Sequence, residues 1–189
     1  SAQELLDFAS FGNDIFISSS YFPEKLVDSL RFKTKNDFSF SGKAQLSFTN
    51  PSFINDSITI EKGLSNIYFS KIDTLYSTVL GYQKFGDTLR TNFIKTPWGK
   101  GHFYLHLQPT TFTNYQLLKK DNKKYAASVM SYLNDDTIYF DVRSKARSNL
   151  SNSPLRFILS QPALRWAWYL VLITTIIFIV FNAKRFITY

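Results

Sequence analysis

His102 and His106 are the only histidines in the chain, and at four residues apart they invite a metal ion. In the string HFYLHLQP, Phe103, Leu105 and Leu107 alternate with His102, Tyr104, His106 and Gln108. That is the period of a strand, not of a helix. Four residues along a strand span about 13 Å. A tetrahedral metal needs its ligands at about 2 Å, so these two imidazoles are not expected to share one. No metal site is expected. The chain has no cysteine, which removes zinc–thiolate sites, iron–sulfur clusters, disulfides and thiol nucleophiles from the chemistry available to it.

A nucleophile would then have to be a hydroxyl. Ser18, Ser19 and Ser20 follow the apolar run IFIS and precede a helix signal, where α/β folds carry reactive loops. The G-x-S-x-G elbow is absent, and a serine-rich strand end also serves as a helix-capping loop. No G-x-G-x-x-G or G-x-x-x-x-G-K-[ST] phosphate cradle occurs. WGKGHF places its two glycines before a strand, as a hairpin-type turn does. Asp135 and Asp136 read as a solvated turn. The sequons at Asn55 and Asn149 matter only in a secretory setting. No cofactor is expected.

The elements that must position these residues alternate between helix and strand. Leu5, Leu6, Phe8, Ala9 and Phe11 mark one helix face, stopped at Gly12. IFIS is a short strand, and Pro23 opens the helix PEKLVDSL. From 38 to 93 the pattern becomes period-2, in KAQLSF, SITI, NIYFS and TVLGYQKF, with a turn at Gly86-Asp87. This predicts a β-rich insertion. Pro97 to Lys100 reads as a turn before the strand HFYLHLQP. A helix follows over DNKKYAASVMSYL, with Tyr125, Val129, Met130 and Leu133 on its core face. Thr113 or Asn114, and then Asp121 or Asn122, are available as N-caps. TIYFDV reads as one more strand.

The last quarter is apolar. WAWYLVLITTIIFIVF, from Trp166 to Phe181, has no charge, glycine or proline. A helix needs roughly 20 apolar residues to cross a bilayer core. Trp166, Trp168 and Tyr169 suit an interfacial belt, and Lys184 and Arg185 can snorkel at the other end. The lipid bilayer is thus an expected partner. The formal net charge is +8; without Lys184 and Arg185 it is +6, since no acid follows Arg165. The basic residues are scattered apart from Lys119, Lys120, Lys123 and Lys124. Solubility or attraction to an anionic membrane explains that balance better than nucleic acid does, and no nucleic-acid partner is expected. The flanking charges do not set an orientation. The expected organisation is an α/β domain over 1–142 with its insertion at 38–93, a connector over 143–164, a transmembrane helix over 165–183 and a short tail over 184–189.

The strings Gly99-Lys100-Gly101, Phe112-Thr113-Asn114, Asp121-Asn122 and Ser153-Pro154-Leu155-Arg156-Phe157, in this order before the apolar helix, resemble a family known only as domain of unknown function 4350, in its Bacteroidetes form. The resemblance runs from about Glu4 to Arg185. It implies a flavodoxin-like, class I glutamine-amidotransferase-like α/β domain between two membrane helices. The domain would lie on the extracytoplasmic side of the bacterial inner membrane, beside a MoxR-type ATPase system and other envelope proteins. The family's first membrane helix and opening strands have no counterpart here, so an N-terminal part is expected to lie outside this sequence. Amidotransferases use a cysteine nucleophile, which this sequence lacks; the N-terminal part leaves that point open. The fold expected is therefore α/β, an incomplete flavodoxin-like sheet with a β-rich insertion and one C-terminal transmembrane helix.

Two functions fit these features. One is a non-catalytic, membrane-anchored interaction or scaffold module of an envelope assembly. The other is a ligand-binding domain or residual hydrolase, with a pocket at the carboxyl ends of the strands. Ser18, Ser19, Ser20, Tyr21, Gln108, Thr113 and Asn114 would line that pocket.

Overall fold

The computed structural model describes residues 1–37, 43–53, 57–119, 121–133, 137–141, 159 and 162–186. The chain divides into two compact units, Ser1–Asp135 and Asp136–Tyr189.

The first unit is mixed α/β. Helix α1, Ala2–Ser10, starts at a capping box in which Ser1 and Glu4 satisfy each other's backbone N–H groups. It ends before Gly12, at φ +103°. Strand β1 is Ile15–Ser18 and α2 is Glu24–Ser29, with Pro23 at its cap. β2 is Lys33–Asn36, β3 Ala44–Phe48, β4 Ile58–Ile60 and β5 Ile67–Lys71. β6, Thr78–Phe85, and β7, Thr88–Trp98, form a hairpin through Gly86, whose φ of +57° suits the turn. β8 is Gly101–His106. A 3₁₀ turn over Pro109–Phe112 leads to α3, Asn114–Leu117, and α4, Asn122–Met130.

Six strands form one sheet in the order β1-β8-β7-β6-β3-β4, and β2 and β5 form a separate ribbon. Only β1 and β8 run parallel; the other described pairs are antiparallel. The β-rich stretch thus supplies four strands to the same sheet as β1 and β8. Pro97, expected in a turn, lies within β7 opposite His102. It is tolerated because β6 pairs β7 only as far as Lys95, so no donor is needed on that side. The turn itself is Gly99-Lys100. Of TIYFDV, expected as a strand, Thr137–Asp141 forms no strand ladder among the described residues, and Ile138, Tyr139 and Phe140 are exposed.

Each sheet face carries its own core. Phe103 and Leu105 of β8, with Leu107 just after it, join Leu6, Ala9, Leu26 and Phe32 on one side. Tyr104 of β8 joins Leu46, Phe93, Tyr125 and Val129 on the other, under α4. The strand alternation read from the sequence is therefore the division between two layers. Two glycines permit the close approach of α1 to the β7–β8 hairpin. At Gly99, φ +60°, a Cβ would lie 2.7 Å from Ser10 Cα; at Gly101 it would lie 2.6 Å from Ala9 O. Gly81 sits at a register shift in β6, where a Cβ would lie 3.1 Å from Ser47 O and 3.2 Å from Asn92 Oδ1.

In the second unit α5, Pro162–Phe186, contains a stretch over Pro162–Asn182 with mean hydropathy 2.0, long and apolar enough to cross a membrane. Trp166 and Tyr169 are exposed on it, their rings 6.1 Å apart, and Trp168 lies between them. Thr174 and Thr175 donate to Leu170 O and Val171 O at 2.8 Å, which removes the cost of a bare hydroxyl in an apolar setting. Lys184 and Arg185 fall in the last turns of this helix. Asn55, Lys120, Asp135, Asp136, Asn149 and the Ser153–Phe157 string lie outside the described residues.

Candidate functional site

The parallel register of β1 and β8 sets Ser18 beside His106. Both stand at the carboxyl ends of their strands, and Ser18 Oγ lies 2.9 Å from His106 Nδ1. The other ring nitrogen, Nε2, lies 3.0 Å from the Tyr125 hydroxyl of α4. Asn92 Nδ2 of β7 donates to the same hydroxyl at 3.3 Å. A polar line thus crosses the inner layer from β1 to α4.

The tautomer follows from the backbone. The Gln108 N–H points at His106 Nδ1 at 3.3 Å. An amide N–H only donates, so Nδ1 is the acceptor and the proton sits on Nε2. Ser18 therefore donates to Nδ1, and Nε2–H donates to Tyr125 Oη. His106 is fully buried, among Phe16, Phe93 and Phe112. Burial penalises the imidazolium and holds its pKa at about 3. The same burial pushes the Tyr125 hydroxyl well above its ordinary value. Both groups are neutral near pH 7. Asn92 Oδ1 is buried without a hydrogen-bond partner.

A serine with a histidine at hydrogen-bond distance resembles half of a hydrolase site, but two features oppose that chemistry. A general base works best with a pKa near the operating pH, and His106 is far below it. The amide following the serine, which often stabilises an oxyanion, is also occupied: Ser19 N–H donates to His106 O at 2.9 Å. The arrangement is suited to tying β1, β8, β7 and α4 together.

Gln108 meets this line only through its backbone. Its side chain is buried and engaged at every group. Nε2 donates to Ser65 O at 2.5 Å and to Gln83 Oε1 at 2.7 Å, and Oε1 accepts from Ser65 N at 3.2 Å. Gln83 in turn donates to Ile67 O at 2.8 Å. Ser19 Oγ donates to Tyr21 O at 2.6 Å and accepts from Tyr21 N at 3.1 Å, a local turn. Ser20 and Tyr21 are exposed. Thr113, exposed, is the N-cap residue of α3, without a side-chain cap bond; its hydroxyl donates to Thr110 O at 2.7 Å. Asn114 is exposed in the first turn of α3. Among the seven residues singled out in the sequence, Ser18 and Gln108 are therefore joined at His106. The hydroxyl bonds of Ser19 and Thr113 are local, while the Ser19 N–H also reaches His106 O.

His106 is legible only as a histidine on the Tyr104 face, and Tyr125 only as a core-facing aromatic. Asn92 carries no sequence signal, because one asparagine in a strand of mixed residues does not reveal its burial. His102 is placed apart from this line, with Nδ1 2.9 Å from Asp14 Oδ1.

No family model matches the chain, and no curated protein does. Solved structures similar in backbone course include a beta-galactosidase from Bacillus circulans sp. alkalophilus, with TM-score 0.46 and 9% identity over 69% of this chain and 20% of that one. A catalytic mutant of Gan42B, a GH42 beta-galactosidase from G. stearothermophilus, gives TM-score 0.43 and 13% identity over 69% and 19%. The exo-beta-1,4-mannosidase Op5Man5 from Opitutaceae bacterium strain TAV5 gives 0.44 and 10% over 71% and 23%. The chain spans about a fifth of the length of these proteins, and their activities carry no weight for it.

Proposed function

We propose that the chain is a membrane-anchored, non-catalytic domain that acts as an interaction or scaffold component of a bacterial envelope assembly. In this reading it is the C-terminal portion of a protein of the domain of unknown function 4350 family. Its α/β part is an incomplete flavodoxin-like sheet, with the parallel β1–β8 pair at one edge. That part lies on the extracytoplasmic side of the inner membrane, held by α5, and its partners are envelope proteins that include a MoxR-type ATPase system.

The observation that carries the non-catalytic part is the closed state of the Ser18–His106 pair. The imidazole is buried and neutral, and the neighbouring amide is already bonded. The apolar stretch Pro162–Asn182 supports the anchor.

The test is a crosslinking pull-down from native membranes, with the full-length protein and with a version lacking Trp166 to Tyr189. A specific partner recovered only when the helix is present is the expected result. A clean monomer in both cases would sink the scaffold reading and favour a ligand-binding domain instead.

A further inference from the structure

A groove of about 520 Å³ lies between the end of α2 and the β2–β5 ribbon, away from the Ser18–His106 line. Val27, Phe32 and Ile72 give it an apolar wall. Leu75, 89% exposed, stands at its edge.

The same groove is lined by three cations. Lys33 and Lys71 are direct partners across the antiparallel ladder, at a register shift. Side chains so placed have Cβ atoms about 5 Å apart, where like charges repel. Among the described residues neither lysine has an acid within ion-pair distance. Arg31, just before β2, is the one described non-glycine residue with positive φ, +54°. That φ belongs to the C-terminal cap of α2, where Phe32 N–H donates to Val27 O at 3.2 Å and Arg31 N–H to Asp28 O at 3.3 Å. The Arg31 guanidinium lies 3.6 Å from Asp73 and 5.9 Å from the centre of the Tyr76 ring.

The opposing acids are Asp28 and Asp73. Asp73 also accepts from Leu75 N at 3.3 Å, so its carboxylate is used within its own loop. Three cations against two carboxylates leave a single positive charge beside an apolar wall. That combination selects a ligand with one negative charge and an alkyl body.

We infer that this groove binds a phosphodiester amphiphile whose net charge is a single negative one. Its alkyl part lies on Val27, Ile72 and Leu75, over the buried Phe32, and its monoanionic phosphate meets Lys33, Lys71 and Arg31. The chemistry is that of an anionic phospholipid, or of a soluble molecule built the same way. The inference does not depend on the scaffold reading.

The full chain in phosphatidylcholine nanodiscs is titrated calorimetrically with dihexanoyl phosphatidylglycerol, with dihexanoyl phosphatidylcholine and with glycerophosphoglycerol. Saturable binding of the first is expected, about tenfold or more tighter than of the others, the equivalent of one charge-assisted hydrogen bond. Lys33→Ala with Lys71→Ala removes that preference. Both positions are exposed, and relief of their repulsion leaves the melting temperature equal or higher. Leu75→Ala weakens both lipids alike. Equal binding of the two lipids, equal binding of the headgroup alone, or full affinity in the double lysine variant would each overturn the inference. Repeating the titration with long-chain phosphatidylglycerol in the nanodisc separates the sources. Loss of the signal assigns the ligand to the bilayer, and a retained signal assigns it to a soluble amphiphile.

Discussion

Ser18 and His106 are 88 residues apart in sequence and 2.9 Å apart in space, because β1 and β8 pair in parallel register. The imidazole between Ser18 and Tyr125 is neutral, and that makes the fold sensitive to acid. In the folded chain His106 protonates at about 3; in the unfolded chain it does so near 6.5. Between those values the unfolded state binds the proton and the folded state does not. Protonation therefore favours unfolding. This group's contribution is complete above about pH 6.5 and declines as pH falls, with a slope approaching about 1.4 kcal/mol per pH unit. Urea unfolding between pH 7 and pH 5, compared with His106→Gln, checks it. The parent should lose stability over that interval and the variant should lose much less; equal losses would refute the assignment.

Tyr125 is the joint between the sheet and α4. Tyr125→Phe keeps the ring stacked on Phe48, 4.9 Å between centroids, and removes only the hydroxyl. His106 Nε2–H and the Asn92 amide then lose their partner in a buried setting. The expected cost is about 2 kcal/mol. His106→Leu alone removes the imidazole from the other side and leaves the hydroxyl with the Asn92 amide. The double variant replaces both polar partners, so it should cost less than the two single changes added, by about 1 kcal/mol. Chemical denaturation of the four proteins measures that coupling, and strict additivity would mean the line does not act as a unit.

The elements of the inner layer are legible where a strand's two faces differ in polarity. Phe103, Leu105 and Leu107 announce one core, and His102, Tyr104 and His106 announce a different surface. The helix faces at Leu6 and Ala9 and at Tyr125 and Val129 are legible for the same reason. β2 is not. Lys33, Thr34, Lys35 and Asn36 have no apolar face, and only the pairing with β5 makes them a strand. The opposite error arises at Thr137–Asp141, where β-branched and aromatic residues give strand propensity but no ladder forms among the described residues. Pro97 misleads because its neighbour β6 stops short, which no local rule can foresee. The site is less legible than the fold. Its geometry depends on long-range register, and a buried asparagine such as Asn92 looks like any other in sequence.

The glycines of the string Gly99-Lys100-Gly101 have separate tasks. Gly99 supplies a left-handed turn, and Gly101 supplies room for the backbone of α1. Gly101→Ala places a methyl group against Ala9 O and Asn13 O, both backbone atoms that cannot rotate away. The helix must shift, at an expected cost of about 3 kcal/mol. Gly86→Ala is the control. Its Cβ meets nothing within 4 Å, and only the positive φ opposes it, at about 1 kcal/mol. Thermal melts should rank parent, Gly86→Ala and Gly101→Ala in falling order. A reversed order would show that α1 is free to move off the hairpin.

Helix α5 makes the most direct prediction about location. Leu172 sits near the middle of the stretch Pro162–Asn182, ten residues from each end, where an inserted helix is deepest in hydrocarbon. Leu172→Lys places a charge there. A lysine at that depth opposes insertion by about 3 kcal/mol, and the two flanking arms of the helix are each too short to span a bilayer without it. Leu164→Lys, near the end of the stretch, lets the side chain reach the interface and should be tolerated. Alkaline carbonate extraction of membranes separates the cases. The parent and Leu164→Lys should remain in the pellet, and a large share of Leu172→Lys should move to the supernatant. If Leu172→Lys stays in the membrane as firmly as the parent, α5 is held there by packing against another protein rather than by its own hydrophobicity.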